Sequence, residues 1–85
     1  MKHTIEFDST WNYYLIEVTD TNGNQAAFSY YKDEQKLFAL DFTFTNGKTC
    51  TGKNLKANRT SLSVNERNQI AEVITYVKQI DLSTL

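Results

Sequence analysis

Two Asn-Gly steps, Asn22-Gly23 and Asn46-Gly47, constrain this chain more than any other feature. Each lies between runs rich in aromatic and β-branched residues. In that setting an Asn-Gly pair predicts a two-residue hairpin turn of type I′. Such a turn needs positive φ at both central residues, which Asn tolerates and Gly adopts freely. Two of them commit the first two-thirds of the chain to an antiparallel meander. They carry no chemistry, so function has to be read by elimination.

The predicted fold class is α+β: a meander of four or five antiparallel strands with one C-terminal helix packed across one face. The strands fall at about 3–8, 12–19, 25–31, 36–45 and 48–53, and the helix at about 64–80, within a single domain of 85 residues. A two-residue loop at Asn22-Gly23 pairs Val18 with Ala27, Ile16 with Ser29 and Tyr14 with Tyr31. The clearest strand is 36–45, where Phe38, Leu40, Phe42 and Phe44 alternate with Ala39, Asp41, Thr43 and Thr45; that period of two makes the Phe side the core side. Ser63 and Glu66 form a capping box. Behind it Ile70, Val73, Ile74, Val77 and Ile80 recur at helical spacing. Apolar groups stand on both faces of this sheet in every register considered, and one helix covers one face. An aromatic patch is therefore expected to stay open.

The net charge of −1 excludes a strong overall field, but its distribution is uneven. Residues 1–47 carry seven acids against three lysines, whereas 48–60 carry Lys48, Lys53, Lys56 and Arg59 with no acid. A single cysteine, Cys50, allows no internal disulfide and fits a reducing compartment. No stretch has the length of a signal peptide's apolar run or of a membrane span. A cytoplasmic protein with no membrane partner is expected.

Motifs for chemistry are weak. Residues 47–54, Gly-Lys-Thr-Cys-Thr-Gly-Lys-Asn, fall one residue short of a phosphate-binding loop. Asn54 stands where the magnesium-binding hydroxyl belongs, and the helix starts about ten residues too late. His3 is the only histidine. With Cys50 it gives no metal-ligand set, and a Cys–His catalytic pair would need the two adjacent in space. Asp41, inside the best strand, is the carboxylate to watch. No catalytic set, metal site or cofactor is expected, and the chain reads as not an enzyme.

What remains for a partner is an aromatic sheet face, a basic segment and free strand edges. The first expectation is a small non-enzymatic protein-binding module anchored by Trp11, Tyr13, Tyr30 and Tyr31, since aromatics dominate interface hot spots. Edge pairing into a homodimer is a variant of it. In size and build the chain is similar to the compact inhibitors that phages and mobile elements encode against host defences, anti-CRISPR proteins among them. That likeness is one of style and assigns no residues. The alternative is nucleic-acid binding through Lys48, Lys53, Lys56 and Arg59. A sheet followed by a helix resembles in outline the DNA-binding domains of the integrase arm-binding and plant AP2 type. Those use a basic sheet, whereas strands two to four here are net acidic and hold no Arg.

Overall fold

The computed structural model describes residues 1–52, 55–57 and 62–85, with Lys56 and Ala57 described by their backbone alone. Five antiparallel strands form one meander: β1 (Lys2–Asp8), β2 (Tyr13–Thr19), β3 (Gln25–Tyr31), β4 (Lys36–Thr43) and β5 (Thr49–Thr51). A two-residue β6 (Lys56–Ala57) pairs with β5, so that spatial order equals chain order. Helix α1 (Val64–Lys78) closes the fold, two residues shorter at its C-terminal end than the apolar spacing suggested.

Both Asn-Gly steps turn the chain, but neither is a type I′ turn. Within these two turns positive φ is confined to the glycines, at 86° for Gly23 and 91° for Gly47. In the first turn the Asp20 amide donates to Asn24 O (3.0 Å) and the Gly23 amide to Asp20 O (3.2 Å). The second repeats this with Phe44 to Lys48 (2.9 Å) and Gly47 to Phe44 (3.0 Å). These are three-residue loops of the kind that puts a left-handed glycine into a bulge after a type I turn. The extra loop residue moves the pairing by one. Ile16 faces Phe28 and Tyr14 faces Tyr30, not Ser29 and Tyr31. A shift of one residue exchanges the two faces of a strand. Tyr14, Ile16 and Val18 therefore share a face with Ala26, Phe28 and Tyr30.

A second correction falls in β4. Ala27 pairs with Asp41 and the next residue, Phe28, with Ala39, so Leu40 is an unpaired bulge residue. The alternation of Phe38, Leu40, Phe42 and Phe44 is interrupted there. Phe42 and Phe44 are buried, with ring centroids 4.7 Å apart. Phe38 and Leu40 stay 49% and 39% exposed on the opposite face, and Leu37 and Ala39 pack against the core in their place. The two strand residues at a bulge share one side of the sheet, which also puts Asp41 on the open face.

Helix α1 covers the other face. Ile70, Val73 and Val77 join Ile16, Val18, Phe28, Phe42, Cys50 and Leu55 in the core. The capping box forms as expected: Glu66 N donates to Ser63 Oγ (3.1 Å) and Ser63 N to Glu66 Oε1 (2.9 Å). The same Oε1 meets Lys48 Nζ at 3.1 Å, tying the cap to the second Asn-Gly turn. Asn24, 2% exposed, is a further tie. Its Nδ2 donates to Asp20 Oδ2 (2.9 Å) and Gln69 Oε1 (2.7 Å), and its Oδ1 accepts from Thr45 N (3.0 Å). One amide thus joins both turns to the helix. At the far edge His3 Nδ1 lies 2.6 Å from Tyr76 Oη. All these contacts belong to the Asn-Gly end of the sheet, so the helix crosses the strands there.

Candidate protein-binding face

The face away from the helix carries the second set of large side chains. Tyr13 on β2, Tyr31 on β3 and Phe38 on β4 form a ladder across three strands. Tyr13 and Tyr31 have ring centroids 5.7 Å apart, and Tyr31 and Phe38 meet edge to face, also at 5.7 Å. Both spacings lie in the favourable range for aromatic pairs. The ladder stands at the end of the sheet opposite the Asn-Gly turns. Trp11, 72% exposed, occupies the β1–β2 loop at that same end. The loop is held from below: Asp8 Oδ1 accepts from Thr10 N (2.9 Å) and Trp11 N (3.3 Å), and Asn12 takes a φ of 57°.

Beside the ladder lies a shallow open depression of about 460 Å³, lined by Ser29, Tyr31, Glu34, Phe38 and Leu40. Its origin is in the register. Ser29 sits opposite Leu15 on one side and Phe38 on the other, so a small residue separates tall neighbours. One step along, Ala27 separates Glu17 from Asp41 in the same way. Among the described residues neither of those carboxylates has an ion-pair or hydrogen-bond partner. With Glu34, they set three acids around an aromatic and aliphatic surface, against Lys36, which pairs with Tyr31 on the same face.

Of the anchors expected from sequence, Trp11, Tyr13 and Tyr31 come together at this end. Tyr30 does not. It is 9% exposed on the helix side, opposite Tyr14 and Leu37, because the three-residue loop reverses the parity of β3. Phe38 and Leu40 take its place on the face, and sequence reasoning missed them. The strand itself gave no signal: Phe38, Leu40, Phe42 and Phe44 alternate without a break in the sequence, and the bulge shows only in the pairing with β3.

Of the four basic residues in the segment, one is described with its side chain. Lys48 is paired with Glu66. Lys53 and Arg59 lie outside the described residues, and Lys56 enters the sheet through its backbone in β6. Gly47 belongs to a hairpin turn and Thr49–Thr51 to β5, so this stretch does not lead into a helix N-terminus. Cys50 and His3 are not brought together: four strand spacings, about 19 Å, separate β5 from β1. Cys50 is fully buried, and burial, followed by the Glu66 charge, pushes its thiol up, against a smaller opposing effect of Lys48. Among the described residues no cluster of three or more His, Cys, Asp or Glu side chains is placed to hold a metal ion.

Compared with known proteins, the chain matches no family model, no curated protein and no solved structure. Among the described residues no helix is long and apolar enough to cross a membrane.

Proposed function

We propose that this chain is a small, non-enzymatic protein-binding module that works in the cytoplasm and docks through its open sheet face. The observation that carries this reading is the Tyr13–Tyr31–Phe38 ladder, which with Trp11 and Leu40 leaves large apolar groups at the surface of a chain that has already closed its core. Rigid aromatics present wide contact area at small entropic cost, and they dominate interface hot spots. Glu17, Asp41 and Glu34, three acids against Lys36 on that face, support one kind of partner. A protein surface that presents an apolar or aromatic side chain flanked by Arg or Lys fits the depression, with guanidinium on the Tyr and Phe rings and carboxylates beside them. Blocking a larger assembly by covering such a basic surface, in the manner of a phage-encoded or anti-CRISPR inhibitor, is the specific role we favour.

The test is affinity capture of tagged protein from a cell lysate, with and without nuclease, using wild type, a Tyr31→Ala/Phe38→Ala variant and a Lys53→Glu/Lys56→Glu variant. A stoichiometric protein partner should survive nuclease and resist salt. Truncating two central aromatics should weaken it by at least roughly 30-fold, while circular dichroism stays native. Partners that vanish with nuclease, fall steeply with salt and are lost in the lysine variant would replace this reading with nucleic-acid binding.

A further inference from the structure

The strand β1 forms one edge of the sheet along its full seven residues, and among the described residues no segment other than β2 hydrogen-bonds to its backbone. We propose that this edge pairs with β1 of a second copy of the chain, antiparallel and centred on Ile5, to form a symmetric dimer with one continuous sheet.

Self-complementarity argues for that occupant. Centring the pair on Ile5 sets Lys2 opposite Asp8, His3 opposite Phe7 and Thr4 opposite Glu6, each twice. All seven residues pair and both charge pairs are of opposite sign, the favourable cross-strand arrangement. Sliding by two residues leaves five paired. In one direction Glu6 then faces Glu6, and in the other Asp8 loses its partner. Charged edge strands generally deter indiscriminate pairing, and this pattern admits one alignment over its neighbours.

The helix side adds a second element. Phe7 is 52% exposed and its ring touches Tyr14 at 5.0 Å, whereas His3 is set against Tyr76, ring centroids 5.6 Å apart. In the proposed pairing Phe7 of the second copy lies beside His3. Two exposed phenylalanines are then covered by two aromatic pairs. A two-fold axis normal to the sheet keeps both aromatic ladders on the same side, so the dimer presents its open faces together and bivalently. One strand pair buries less than the about 800 Å² per partner of a standard interface, so the dissociation constant should be of order 10–100 µM.

Sedimentation equilibrium on the full chain should show a reversible dimer in that range. Lys2→Asp turns two attractions into two repulsions and should weaken it roughly tenfold. Thr4→Cys and Glu6→Cys, both at exposed positions, test the register. Under mild oxidation an equimolar mixture should form a disulfide-linked dimer several-fold faster than either variant alone, and buried Cys50 does not compete. Cross-linking of Thr4→Cys alone or of Glu6→Cys alone at the mixed rate overturns the register. A monomer at all concentrations to 1 mM, a ceiling set at roughly ten times the weakest expected dissociation constant, overturns the dimer.

Discussion

Deleting Leu40 tests whether β4 is bulged by one surplus residue. With Leu40 removed, Leu37, Ala39, Phe42 and Phe44 fall on one side and Lys36, Phe38, Asp41 and Thr43 on the other, in unbroken alternation. Every buried residue of β4 keeps its face, and the fold should survive. The loss is then local. Leu40 is already 39% exposed, so its removal returns about 1 kcal/mol of burial to water. The bond from Gly52 N to Leu40 O (3.3 Å) is worth about 1 kcal/mol more. Restored ladder pairing opposite Phe28 offsets part of both. The net cost should be about 1–2 kcal/mol, or roughly 5–12 °C in Tm for a chain of this length.

Deletion of Thr43 is the contrasting perturbation. It removes a residue from the regular part of the strand and sends Phe44, now 4% exposed, to the open face. Exposing a Phe costs about 2–3 kcal/mol, and the Phe42–Phe44 pair adds about 1. The loss should exceed about 3 kcal/mol, with misfolding the extreme. Urea denaturation of both deletions, with amide NMR spectra to confirm the native sheet, separates the outcomes. If losing Leu40 costs as much as losing Thr43, the parity argument for β4 is wrong.

Three further outcomes follow from particular contacts. Asn24→Ala strips partners from Thr45 N, Asp20 and Gln69 together and should cost about 3 kcal/mol by urea denaturation, against less than about 0.5 for Asn22→Ala, whose exposed side chain joins no such network. Cys50 should react with Ellman's reagent at pH 8 at least roughly 100-fold slower in the native protein than in denaturant, because attack waits for opening of the core; rapid native labelling would show that β5 is not closed as described. The Glu66 carboxyl is held below its ordinary 4.5 by the Ser63 amide first and by Lys48 next. A lowered folded value means that its contribution is present above 4.5 and is lost as pH falls through that lowered value. Thermal melts should therefore show Glu66→Gln less stable than wild type at pH 7, with the gap closing towards pH 3.

Much of this fold was legible in the residues. The Asn-Gly steps placed two turns, Ser63 and Glu66 marked the helix start, and the apolar spacing of Ile70, Val73 and Val77 identified its inner face. Parity was not legible. A loop of two residues and a loop of three both use Asn-Gly. The choice rests on Asp20, which accepts from the amides of Asn22 (2.9 Å) and Asn24 (2.8 Å) and stabilises the longer loop. The side chain of Asp20 was readable as a turn former, but its bonds reward the longer loop only once Asn24 is buried between Thr45 and Gln69. Those partners lie 21 and 45 residues away in sequence. The bulge at Leu40 has a similar cause: it reconciles β3, phased by the first turn, with Phe42 and Phe44, phased by the second.

A count of apolar groups against covering elements was more durable than any single pairing. One amphipathic helix covers one face, and strands 12–19, 25–31 and 36–45 carry large side chains at both parities. Whichever way the loops resolve, one aromatic set closes the core and the other stays in solvent. The loop at Asp20 decides that Tyr30 is the residue enclosed and Tyr31 the one displayed. The bulge then adds Phe38 and Leu40 beside Tyr31. Two local choices, each of one residue, thus assemble a ladder across three strands, and they place Glu17 and Asp41 next to it. A surface built this way is rigid before any partner arrives, since its aromatic groups stand on paired strands and not on loops. Its residues can therefore be exchanged with little effect on the core behind them, which is why binding and folding should separate in the Tyr31→Ala/Phe38→Ala variant.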